Sequence, residues 1–114
     1  MIRLVIGGRG QGKTRFLCET FSLSPAQVGE EPREGGACVH LERLIAREGA
    51  AAVLARAEAV RDCVFCADEI GCGILPAERK ERELRDEVGR VLCAIARRAD
   101  EVYRVFAGIG VRIK

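Results

Sequence analysis

Residues 7–14 read Gly-Gly-Arg-Gly-Gln-Gly-Lys-Thr, and they constrain the fold of this chain more than any other stretch. The pattern fits Gly-x-x-x-x-Gly-Lys-Ser/Thr, with Gly7, Gly12, Lys13 and Thr14 at the fixed places. It follows an apolar run at residues 2–6, broken by Arg3, and precedes a stretch whose Phe16, Leu17 and Phe21 suit a helix over 13–21. In a strand–loop–helix context the glycines let consecutive backbone N–H groups turn inward with no Cβ in the way. The positive end of the helix stands behind them. The loop is therefore expected to hold the polyphosphate of a nucleoside triphosphate, ATP or GTP, on Gly7, Gly8, Arg9, Gly10, Gln11, Gly12, Lys13 and Thr14. Lys13 is expected to reach the β- and γ-phosphates, and Thr14 to ligate Mg²⁺.

The remaining pattern completes an α/β chain. Residues 22–37 turn to Ser, Pro, Gly and Glu without periodicity and read as a sixteen-residue loop. Leu41, Leu44, Ile45 and Glu48 have helical spacing that stops at Gly49, and an Ala-rich helix follows over 50–60. The run 63–67 reads as a buried strand closed by Asp68 and Glu69. A turn over 70–76 leads into a long helix over 77–99, striped by Leu84, Val88, Val91, Leu92 and Ile95. A strand over 101–106 and the glycines at 108 and 110 suit a hairpin with an antiparallel edge strand. Together these predict one P-loop NTPase-like layered domain over residues 1–114. Its sheet has about three parallel strands and a C-terminal antiparallel hairpin.

Composition excludes several classes. With 114 residues, 48% apolar, 32% charged and a net charge of +2, the chain is globular and gives no sign of a nucleic-acid binder. The N-terminal apolar run is too short for a signal sequence or a membrane span, so the expected compartment is the cytoplasm and its six cysteines are expected as thiols. Cys63 and Cys66 form a Cys-x-x-Cys on a strand. Residues three apart there point to opposite faces, so they read as small buried hydrophobes before they read as a redox or metal pair.

A P-loop site needs an acid at the end of a neighbouring strand. Asp68 is placed to hold the metal, and Glu69 to orient a metal water or accept a proton; both are also ordinary strand-end turn residues. His40, the only histidine, reads either as packed or solvated at a helix start, or as a site residue acting as nucleophile or base. Arg82 and Arg85, three apart on the long helix, share a side that faces either an anionic ligand, a neighbouring subunit, or solvent.

The run Asp68-Glu69-Ile70-Gly71-Cys72-Gly73-Ile74-Leu75-Pro76 resembles a segment of the adenosylcobinamide kinase / adenosylcobinamide-phosphate guanylyltransferase family of cobalamin biosynthesis. Arg79, Arg82, Arg85-Asp86 and Gly89-Arg90 resemble that family's Arg-x-x-Arg-Asp-x-x-Gly-Arg helix. Residues 99–102 and 108–114 resemble its C-terminus. The resemblance implies nucleotide binding, a corrinoid substrate phosphorylated at its aminopropanol hydroxyl, and homo-oligomers with sites near subunit contacts. It also has departures. Family members are longer between the first helix and the Cys63 strand, and that stretch carries a guanylylated histidine in a His-x-x-x-Arg-Pro-like setting followed by Trp. This chain has no Trp and no such motif, and His40 does not match the position. Asp68 stands where the family usually has Asn. The expectation is kinase chemistry, with guanylyl transfer lost. The alternatives are a non-catalytic nucleotide-binding regulator of corrinoid metabolism and a kinase for another small alcohol.

Overall fold

The computed structural model describes residues 1–69 and 79–114. The expected turn over 70–76, Cys72 and the first two positions of the expected long helix lie outside the described residues. Strand β1 (Ile2–Gly7) leads through the glycine loop into helix α1 (Lys13–Thr20). Strands β2 (Val28–Gly29) and β3 (Gly36–Cys38) follow. Then come helices α2 (Leu41–Glu48) and α3 (Ala50–Ala59), strand β4 (Cys63–Asp68), helix α4 (Arg79–Arg98), and the hairpin β5 (Glu101–Phe106) and β6 (Ile109–Arg112).

The six strands form one sheet in the order β2-β3-β4-β1-β5-β6, and only β6 is antiparallel. The apolar runs of β1 and β4 occupy the centre because both of their faces are covered. On one face Leu4, Phe65 and Val102 pack with residues of α2, α3 and α4. On the other, Val5, Val64, Cys66 and Val105 pack with Leu17 of α1. Cys63 and Cys66 fall in these two separate cores, as strand alternation requires.

A single short helix covers the second face, and aromatic side chains extend it. Phe16, Phe21 and Tyr103 meet with ring centroids 5.6–6.2 Å apart, and the Arg3 guanidinium lies 4.5 Å over the Phe21 ring. On the hairpin and just after it, Phe106, Ile109, Val111 and Ile113 remain exposed.

The stretch 22–37 is a correction. It is not one loop, because a 3₁₀ turn at Pro25–Gln27, the edge strand β2 and its neighbour β3 lie in or across it. Strands of two and three residues are too short to show alternation. Gly36, Ala37 and Cys38 pair with Cys63, Val64 and Phe65 and are all buried. Small residues are needed there: a Cβ on Gly36 would run into the Gln27 carbonyl and the Arg33 side chain. The sheet thus has five parallel strands rather than about three. Among the described residues no helix is long and apolar enough to cross a membrane.

Candidate nucleotide site

Because β1 and β4 run in parallel register, Gly7 sits beside Asp68 at the carboxyl edge of the sheet. Phosphates are expected at that edge in an open α/β sheet. The Glu69 N–H donates to the Gly7 carbonyl at 2.9 Å, closing the two strand ends together. From Gly7 the chain turns through Gly10 (φ 74°) and Gly12 (φ 83°), values that only glycine adopts without strain. Gly12 caps α1 and has no side chain of its own to satisfy the first-turn amides, which leaves them to a ligand.

Lys13 is buried at 7% exposure. Its ammonium donates to the Gly8 carbonyl at 2.7 Å and meets Asp68 Oδ1 at 2.5 Å. A buried cation needs such partners, and here they draw the Lys13 side chain back across its own loop to the strand beside it. Thr14 lies next to it on the first turn of α1. Arg9, Gly10, Gln11, Gly12, Lys13 and Thr14 line a cavity of about 200 Å³ together with Asp68 and His40. Hydroxyl and carboxylate oxygens are the donors Mg²⁺ prefers, and it keeps waters and phosphate oxygens as further ligands. Thr14 and Asp68 on one cavity fit that requirement.

Among the residues expected to be functional, the structure thus brings Arg9 to Thr14 of the glycine loop together with Asp68 and His40, while Gly7 and Gly8 do not line the cavity. His40 caps α2 in the left-handed region (φ 55°) and is 37% exposed on the cavity wall. Glu69 does not line this cavity; its carboxylate meets Arg104 of β5 at 3.2 Å. Arg82 and Arg85 are half-buried on α4 and do not line it either. Arg85 lies 3.7 Å from Asp86.

Four residues at or around the site escaped the sequence reading. Glu42 is 8% exposed, the only buried carboxylate among the described residues. Its Oε1 accepts the Asp68 N–H at 2.8 Å, and its Oε2 lies 3.8 Å from His40 Nδ1. The available signal was an acid set inside the apolar stripe Leu41, Leu44 and Ile45. Arg43 also lines the cavity. Arg104 had no local signal, because only sheet register brings it to Glu69. Cys66 floors the cavity, and burial pushes its thiol up to about 12.

The loop is held from the far side by the β5–β6 turn. Gln11 Oε1 accepts the Ala107 N–H at 2.7 Å, and the Gln11 carbonyl accepts the Gly108 N–H at 2.8 Å. Ala107 (φ 51°) and Gly108 (φ 76°) are both left-handed, the geometry of a tight hairpin turn.

The family described as cobinamide kinase / cobinamide phosphate guanyltransferase has a sequence model that matches residues 31–113. The match begins beyond the glycine loop, so the phosphate-binding reading of that loop rests on its own motif and geometry. The chain is 38% identical over 86 residues to the bifunctional adenosylcobalamin biosynthesis protein CobU of Salmonella typhimurium, covering 75% of this chain and 48% of that protein. Over 51 residues it is 47% identical to the protein of the same description from Escherichia coli strain K12, covering 45% and 28%. It therefore spans about half the length, or less, of these relatives.

Proposed function

The chain belongs to the cobinamide kinase / cobinamide phosphate guanyltransferase family, and from that premise we propose that it transfers the γ-phosphoryl group of ATP or GTP to the aminopropanol hydroxyl of a cobinamide, without guanylyl transfer. The observation that carries this reading is the Lys13 ammonium, buried between Gly8 and Asp68 at the start of α1. On triphosphate binding Lys13 exchanges Asp68 for phosphate oxygens. The loop amides take the bridging and β-phosphate oxygens. Thr14 and the released Asp68 would hold Mg²⁺, which would supply positive charge to offset that developing on the phosphates.

In the reaction a bond forms between the acceptor oxygen and Pγ while the bond from Pγ to the β-phosphate oxygen breaks. The nucleoside diphosphate leaves, and the hydroxyl proton passes to Glu69 once that carboxylate has let go of Arg104. Loss of guanylyl transfer follows from the missing His-x-x-x-Arg-Pro-like segment. A non-catalytic nucleotide-binding module is the second reading, favoured by the missing His-x-x-x-Arg-Pro-like stretch between α1 and β4, with which substrate contacts are lost.

Incubation with cobinamide and labelled Mg-ATP or Mg-GTP tests the proposal. A labelled cobinamide phosphate is expected, with no GDP-cobinamide. The Lys13→Ala variant should turn over roughly a hundredfold more slowly, about 3 kcal/mol of transition-state stabilisation. Triphosphate binding without transfer selects the module. Absence of both ends the proposal.

A further inference from the structure

Lys13 and the loop amides belong to the turn from β1 into α1. The same cavity is also lined from the start of α2, where His40 and Arg43 stand three residues apart and share the space with Lys13, Thr14 and Asp68. Residues at that spacing share a helix face. We propose that His40 and Arg43 are a clamp for the terminal phosphoryl group of the nucleoside triphosphate, closing on it from the start of α2. The proposal rests on the reading of the glycine loop as a polyphosphate site and adds residues that this reading does not use.

Three observations support it. Among the described residues the Arg43 side chain is held only by an exposed pair, its Nη1 3.4 Å from Glu30 Oε1 with the Arg43 side chain 60% exposed, and pairs of that kind exchange readily for a better anion. His40 is the left-handed N-cap of α2. The buried Glu42 carboxylate lies 3.8 Å from its Nδ1, which leaves Nε2 for a ligand, and it is the imidazolium form that donates from Nε2 to a phosphate oxygen. Glu42 also holds the Asp68 amide, which ties α2 to the strand end that carries the Lys13 partner. During transfer, negative charge spreads over the three outer oxygens of the phosphoryl group. Donors already aimed there stabilise that charge more than they stabilise a diphosphate lacking it.

The test compares Mg-ADP with Mg-AMPPNP, and Mg-GDP with Mg-GMPPNP, by titration calorimetry of the full chain. Four proteins are needed: wild type, Arg43→Ala, His40→Asn and Arg47→Ala. Asn tolerates the left-handed backbone, so His40→Asn keeps the start of α2. Arg47 is an exposed cation one turn further along the same helix and is not on the cavity. Loss of one charge-assisted contact should reduce the preference for triphosphate over diphosphate roughly tenfold or more in Arg43→Ala and in His40→Asn. Diphosphate affinity should stay within about threefold, and Arg43→Lys should recover part of the loss.

Unchanged preference in both variants overturns the clamp while leaving the loop reading intact. An equal loss of diphosphate affinity, or the same loss in Arg47→Ala, also overturns it, because the effect is then structural or one of net charge. If the wild-type protein binds none of the four nucleotides, the loop reading fails and takes the clamp with it.

Discussion

Glu42 offers a measurable test of how the site is held. Replacing it by Leu keeps the side-chain volume and removes the acceptor from the Asp68 N–H, now bonded at 2.8 Å. Two effects then compete. The apolar side chain no longer carries the desolvation cost of a carboxylate that is 8% exposed, and it contributes some apolar burial. Against that, the charge-assisted bond is worth about 1.5–3 kcal/mol, and the orphaned amide costs about 1–3 kcal/mol of desolvation. The orphan outweighs the gain because only one partner is removed: Asp68 keeps its backbone donor whatever stands at position 42. A net loss of about 2 kcal/mol is expected, equivalent to about 8 °C in melting temperature for 114 residues. Glu42→Gln keeps an acceptor oxygen and should lose only about 0.5–1 kcal/mol. Urea denaturation with thermal melts of all three proteins makes the measurement. A Leu variant as stable as wild type, or more so, refutes the claim that this bond fixes the strand end.

Further predictions concern charge, thiols and the loop. The Arg3 side chain, 2.7 Å from Glu101 across β1 and β5, holds the Glu101 carboxyl below its ordinary value, with a smaller contribution from Tyr103. A depressed folded-state value contributes stability above the ordinary value of 4.5 that is lost as pH falls through the folded value. Wild type should therefore lose more stability between about pH 5 and pH 3 than Glu101→Gln does, read from denaturation midpoints. Burial pushes the Cys38 and Cys66 thiols up to about 12, so iodoacetamide at pH 8 followed by mass spectrometry should find Cys93, which is exposed, labelled and those two unlabelled until denaturant is added. Gln11→Ala removes the acceptor of the Ala107 N–H and should cost about 1 kcal/mol of stability. It should also weaken Mg-triphosphate binding in calorimetry, whereas a loop that needs no support would bind unchanged.

Several parts of this architecture were legible in the linear pattern. The apolar runs of β1 and β4 marked strands buried on both faces, Gly49 marked the end of α2, and the glycine cluster marked the turn from β1 into α1. The cysteine pair was legible too, because strand alternation alone separates Cys63 from Cys66. The strands β2 and β3 were not, because their pairing is decided by Gly36 fitting against a carbonyl and not by any periodicity. The surroundings of the loop were hidden for another reason. Glu42, Arg43 and Arg104 gain their positions from sheet register and from the end at which α2 starts, and these relations join residues 26 to 35 apart in sequence. An acid interrupting an apolar stripe was the one local trace of them.

Gln11 leaves the ribosome early, and Ala107, whose N–H it accepts, follows 96 residues later. The central strand β1 waits as well, because the strands on both of its sides are synthesised after it. A nascent chain therefore displays its glycine loop long before the hairpin turn braces it, and contacts of such sequence separation form slowly. Competence to capture nucleotide should appear abruptly, when the hairpin turn swings in, and not gradually with chain length. Nucleotide capture by arrested translation intermediates would serve as a clock for the completion of this fold.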